Sequence, residues 1–400
     1  MNTSGSLVPK YWCNYLYDHS DLYQDILSNT PRKTVKNEAN KRMLIKQPLS
    51  LLKQSYNLID ENIEIPKPVR EIYQTYRPTP FRRAAALEKI LSTKTKIYFK
   101  FEGSNISGSH KLNTAIPQAY YFKTAGVKHL VTGTGAGQWG TAIAYACKLF
   151  DLKCSIFMVN VSLKQKPQRR ALMELFGATV YESPSTNTRF GKEVIAGSKD
   201  GLGTLAIATA EAIELVDRLE NTQFAVGSGE NSVLLHQTII GNEVLNQLLE
   251  VNIFPDKVYA CVGAGSNFCG ISFPLMRYAK KNQKKCDFVA VEPIACPKLT
   301  KGTYAFDIND FSGVTPYSKM YTLGSAYIAP PIHAGGLRYH GTSEFLSALY
   351  EKKLVSARAI SQKASLAAGL LFSECEGILP APESAYAIAA ALEDITSNPK

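Results

Sequence analysis

Lys128-His129-Leu130-Val131-Thr132-Gly133-Thr134-Gly135-Ala136-Gly137-Gln138-Trp139-Gly140-Thr141-Ala142-Ile143-Ala144-Tyr145-Ala146 is the stretch on which the fold turns. Its apolar opening predicts a strand over 128–132, its glycines a sharp turn, and the small apolar residues from Thr141 a buried helix. The same texture recurs along the chain. Ile97–Phe101, Cys154–Val159, Val258–Val262 and Phe288–Val291 read as further strands, with helices around 168–174 and over 272–280. Strands separated by helices need crossover connections, so the sheets should be parallel and covered by helices on both faces. The fold class is α/β, and ligands of such sheets sit beyond the carboxyl ends of the strands, where these glycine turns fall.

Composition narrows the function classes. The chain has 400 residues, 45% hydrophobic and 20% charged, which is globular and long enough for two or more cores. A net charge of +11 would suit nucleic acid only if the cations clustered, but the densest runs, Arg32-Lys33, Lys164 to Arg170 and Lys280 to Lys285, are short or interrupted. They read as solvated surface, with no nucleic-acid partner. Eight cysteines without a CxxC pair predict a reduced, metal-free protein. No apolar stretch reaches 18 residues and the N-terminus lacks a signal pattern, so a cytoplasmic protein with no membrane partner is expected. Residues 1–76, polar, Tyr-rich and interrupted by prolines, read as an N-terminal extension packing on the core.

Three segments could carry chemistry. Gly135 to Gly140 matches GxGxxG, but the next strand ends at Asn160 rather than at an acid that could hold a ribose, which disfavours a dinucleotide. The same turn can aim backbone N–H groups at a smaller anion, such as a substrate carboxylate. Gly263-Ala264-Gly265-Ser266-Asn267 also follows a strand and opens a helix; it suits a phosphate, although read alone it could be a tight turn without a ligand. Ser109-His110-Lys111 lies between a Gly-rich loop (103–108) and a predicted helix. A lysine there is usually a solvated helix start, yet positive charge is unfavourable in a first turn. Desolvated, Lys111 would be a nucleophile able to form an imine with an aldehyde, and His110 could donate to a phosphate.

Gly108 to Asn113, Gly133 to Gly140 and Gly263 to Asn267 resemble the matching segments of tryptophan synthase beta chains, which are fold-type II pyridoxal-phosphate enzymes. Arg77 to Pro80, Gln165 to Pro167, Pro331 to Gly341 and Pro380 to Ala385 are similar to the longer, second branch of that family, and the likeness runs from about Val8 to about Ala391. The resemblance implies a two-domain fold: a smaller α/β domain over 110–228 and a larger cofactor domain from 77–109 plus 229–400. It implies pyridoxal 5'-phosphate, held as a Schiff base by Lys111, and leaves room for a monovalent cation. His110, Gly263, Ala264, Gly265, Ser266 and Asn267 would hold the phosphate; Ala264, where the family usually has glycine, should weaken that grip. Thr134, Gly135, Ala136, Gly137 and Gln138 would hold the amino acid's carboxylate, and Glu383 would lie near the cofactor's ring oxygen. The implied lyase reaction takes the α-proton of serine with the lysine, expels the β-substituent and adds indole to make tryptophan. A homodimer and an alpha-subunit partner go with it.

Two departures bear on this. The family has a glutamate before Thr134, a proton donor and acceptor for the leaving hydroxyl; this chain has Gly133. General acid–base catalysis is worth roughly 10²–10⁴-fold, so serine should react slowly and O-phosphoserine, with its better leaving group, more readily. The family also continues past the helix of Glu383 into another strand, while this sequence ends at Lys400, which predicts an unpaired sheet edge. The alternatives are a deaminase, in which water disposes of the intermediate, and a catalytically weak scaffold partner.

Overall fold

The computed structural model describes residues 8–29, 47–197, 203–310 and 315–397. The pair Arg32-Lys33 lies outside them. Strand β1 (Tyr11–Cys13) pairs antiparallel with β2 (Asn62–Glu64), and β3 (Phe81–Arg83) pairs antiparallel with β4 (Tyr98–Lys100). Four parallel strands follow: β5 (His129–Thr134), β6 (Lys153–Val159), β7 (Thr179–Ser183) and β8 (Thr222–Phe224), in the order β7-β6-β5-β8. A second parallel sheet is built from β9 (Lys257–Cys261), β10 (Asp287–Pro293) and β13 (Ser356–Ile360), in the order β13-β10-β9, and β11 (Thr303–Asp307) and β12 (Ser318–Thr322) form a hairpin beside it. The α/β reading therefore holds for both main sheets. The strand read over 97–101 differs: its partner is the antiparallel β3, which begins directly after Pro80.

β5, β6 and β10 are almost wholly buried, which is why they read as apolar runs rather than as alternating ones. One core joins both sheets to the N-terminal segments. Trp12, Tyr23 and Tyr73 pack in the same cluster as Leu130, Ile156, Val258 and Ala290. Trp12 is completely buried, with its ring 4.6 Å from that of His236, and the Cys13 N–H donates to Thr238 Oγ1 at 2.8 Å. The polar texture of this segment thus hides a few large anchors. Among the described residues no helix is long and apolar enough to cross a membrane.

Beside the helix that follows Lys111 sits a buried ionic hub. Arg77 donates through Nε to Glu243 Oε1 at 2.7 Å, and through Nη1 to Glu102 Oε2 at 3.0 Å and to Asn113 Oδ1 at 2.7 Å. Lys100 Nζ donates to Glu243 Oε2 at 2.8 Å. The hub ties β4 and the helix Ile239–Glu250 to the helix Leu112–Thr124, whose start carries Lys111.

Among the described residues β9 pairs on one side only, with β10, and β4 on one side only, with β3. A cavity of about 1730 Å³ lies between these edges and continues to the 263–267 turn.

Candidate active site

Lys111 sits at the N-terminal cap of the 112–124 helix. Its Nζ donates to Gly227 O at 2.7 Å and lies 3.4 Å from Ser266 Oγ. Burial brings its pKa down to about 8, against the opposing influence of Cys261 and Glu383. His110 Nε2 lies 3.2 Å from the same Ser266 hydroxyl. Burial first, then the Lys111 charge, lowers the imidazole's pKa to about 3 and keeps it neutral.

Ser266 opens the helix Ser266–Lys281, and Gly265, at φ +118°, makes the turn into it. Gly263 needs its missing side chain for a different reason: a Cβ there would stand 2.5 Å from Gly336 O. The turn is pinned by the Ser343 N–H donating to Ala264 O at 2.8 Å. The Ser343 hydroxyl beside Gly265 is buried and has no hydrogen-bond partner.

Glu383, in the first turn of the helix Pro382–Ser397, is 6% exposed. It accepts from the Gly336 N–H at 2.8 Å and from Gln138 Nε2 at 3.4 Å. Lys111, His110, Gly263 to Asn267, Gln138 and Glu383 all line the one cavity. Thr134, Ala136 and Gly137 do not line it, and Gly135 and Arg338 line a separate space of about 30 Å³. Ala264 Cβ lies 3.6 Å from the place a Cβ on Gly229 would take.

Sequence reading missed several members of the site. Lys166 and Arg169, counted there as solvated surface, line the cavity. Lys166 Nζ donates to His333 O at 3.1 Å, Arg169 Nη1 to Ser107 O at 3.0 Å, and Arg338 Nη2 to Ser162 Oγ at 2.7 Å. These hydrogen bonds go to neutral oxygens, and Arg338 Nε is buried without a partner. The motifs holding them, 165–167 and 331–341, were visible, but nothing in them showed which way the cations point.

The sequence profile described as "Pyridoxal-phosphate dependent enzyme" matches residues 72–398. "Tryptophan synthase beta chain 2" of Thermotoga maritima is 45% identical over 394 residues, covering 98% of this chain and 92% of that protein. "Tryptophan synthase beta chain" of Pyrococcus horikoshii is 46% identical over 387 residues, 96% of this chain and 83% of its own length. The chain belongs to the tryptophan synthase beta chain family of pyridoxal-phosphate dependent enzymes. Solved structures extend the likeness in fold: the threonine deaminase of T.th. has a TM-score of 0.61 at 20% identity, covering 83% of this chain and 93% of that one. Threonine deaminase isoform 2 from Solanum lycopersicum has a TM-score of 0.58 at 17% identity, covering 78% and 73%.

The residues present fit the family's cofactor. A buried amine of lowered pKa, the Ser266 hydroxyl and a turn at a helix N-terminus whose Gly263 has no room for a Cβ converge on one cavity.

Proposed function

We propose that this chain makes tryptophan by replacing the β-substituent of serine, or of O-phosphoserine, with indole. The observation that carries the reading is the approach of Lys111 Nζ to Ser266 Oγ, 3.4 Å, which sets the reactive amine beside the anion-binding turn. Bound pyridoxal phosphate supplies an electron sink for chemistry at the amino acid's α and β carbons.

The chain's own residues do the rest. Lys111 holds the cofactor and, when free, moves the α-proton through Nζ; its lowered pKa keeps part of it neutral near pH 7. The N–H groups of 263–267 and the dipole of the 266–281 helix take the phosphate, with Ser266, Asn267 and neutral His110 beside them. Of the turn 134–138, Gln138, which opens the helix Gln138–Leu149 and lines the cavity, is read as taking the substrate carboxylate. Glu383 orients Gln138 and Gly336 around the reacting atoms. We read 110–228 as the unit carrying the substrate turn and 77–109 with 229–400 as the unit carrying the cofactor.

The second donor is favoured by charge. Lys166, Arg169 and Arg338 offer cations whose hydrogen bonds go to neutral oxygens, which suits a phosphoryl leaving group where Gly133 supplies no acid. A cytoplasmic homodimer that takes indole from an alpha subunit completes the proposal.

The test pairs a spectrum with a product. Purified protein should absorb in the visible and lose that band on Lys111→Ala, and serine or O-phosphoserine with indole should yield tryptophan. Pyruvate from the donor alone, without tryptophan, would identify a deaminase; a colourless protein that stays colourless with added cofactor would remove the reading.

A further inference from the structure

Lys298 opens the short helix Lys298–Lys301 after β10, and its side chain is 0% exposed. Removing an ammonium from water costs several kcal/mol unless its surroundings compensate. Its surroundings are unusual. The nearest carboxylate oxygen, Glu292 Oε2, is 3.9 Å away, beyond hydrogen-bonding distance. That carboxylate is already engaged by the Leu299 N–H at 2.9 Å, the Thr300 N–H at 2.8 Å and the Thr300 hydroxyl at 2.7 Å. The ammonium instead donates to Val262 O, at 3.0 Å. Val262 is the residue immediately before the 263–267 turn, and its N–H is fixed by Val291 O of β10 at 2.8 Å. Lys298 does not line the cavity, so it can reach a ligand there only through the turn.

We propose that Lys298 is a positioning residue: a built-in cation that grips the Val262 carbonyl and thereby aims the N–H groups of 263–267 at the cofactor's phosphate. The inference rests on the reading of that turn as the phosphate site. A free potassium or ammonium ion, coordinated by the same carbonyl, would do the same work; the tethered ammonium makes such an ion unnecessary.

Apo protein titrated with pyridoxal phosphate and, separately, with pyridoxal, which lacks the phosphate, tests this without turnover. Binding is read from the absorbance of the lysine-bound aldehyde. Lys298→Met keeps the buried stem and removes the charge; it should weaken pyridoxal phosphate by about tenfold or more while pyridoxal changes by less than about twofold. Lys298→Ala leaves space, so potassium or ammonium chloride should restore its affinity for the phosphorylated aldehyde, and tetramethylammonium, too large for the space, should not. Equal loss of both aldehydes, or no selective recovery, would overturn the proposal by making the role one of general packing. If neither variant folds, the unsubstituted protein decides: its affinity should be the same in sodium, potassium and tetramethylammonium salts, and a severalfold gain in potassium alone would overturn the built-in cation. Failure of the unsubstituted protein to bind either aldehyde would instead refute the cofactor reading.

Discussion

Gly133 of β5 faces the backbone at Ala208: a Cβ built on it would stand 2.9 Å from the Ala208 carbonyl carbon and 3.0 Å from the Thr209 amide nitrogen. The helix Leu205–Arg218 therefore packs tightly against the strand at Gly133. Gly133→Glu is then no restoration. Because backbone, rather than a flexible side chain, must move, Gly133→Ala and Gly133→Glu should each cost about 1–3 kcal/mol of stability. Urea denaturation measures this, and an unchanged midpoint for the alanine variant would show that the helix yields freely.

Lys111 should impose a pH dependence on cofactor capture. Only the neutral amine attacks an aldehyde, and burial holds its pKa at about 8 against an ordinary 10.5. Capture by apo protein should rise about tenfold per pH unit below that value and level off above it. Stopped-flow absorbance at the forming band reads the profile; a rate still climbing at the ordinary lysine pKa would mean that the amine is solvated.

The Arg77 hub should make the protein acid-labile in a defined window. Burial raises the Glu102 pKa, but the Arg77 guanidinium and the hydrogen bonds from Arg77, Thr79 and Asn113 outweigh it and bring it from 4.5 to about 2. A carboxylate depressed in the folded state stabilises fully above its unfolded value, and that stability is lost as pH falls from 4.5 towards 2. Glu102→Gln should flatten the slope in this interval. Arg77→Leu, which strands Glu102 without its cation and leaves Glu243 with Lys100 alone, should cost on the order of 3–5 kcal/mol near neutral pH.

Glu383→Ala releases both Gln138 and the Gly336 N–H. Misplacement of positioning groups by about 1 Å can cost on the order of 10²-fold, so kcat should fall by about that factor while cofactor affinity holds. Steady-state rates beside a cofactor titration check the split; parallel loss of both would make Glu383 a support of the cofactor instead.

Arg338 separates the two donors. Removing one charge-assisted hydrogen bond costs about 1.5–3 kcal/mol, so Arg338→Leu should lower kcat/KM for O-phosphoserine by about 10- to 100-fold and leave serine nearly unchanged. Equal losses with both donors would place the guanidinium outside the leaving-group site.

What was legible follows from burial. β5, β6, β9 and β10 announce themselves as apolar runs, and the glycine turns after β5 and β9 mark two of the segments that meet near Lys111. β7 and β13, as Thr-Val-Tyr-Glu-Ser over 179–183 and Ser-Ala-Arg-Ala-Ile over 356–360, mix polar with apolar residues and pass unnoticed. Charged residues read as solvent-facing, which hides the inward turn of Arg169 and the complete burial of Lys298. The Arg77–Glu243 pair spans 166 positions, and no local pattern connects residues so far apart.

The one-sided pairing of β9 should leave a signature in amide exchange. Val262 N–H points to β10, and alternation along a strand sends Val258 and Ala260 the same way, so Tyr259 and Cys261 turn their amides towards the cavity. Within five residues, then, slow and fast protons should interleave one by one, and anything extended that enters the gap would report itself by slowing every second one.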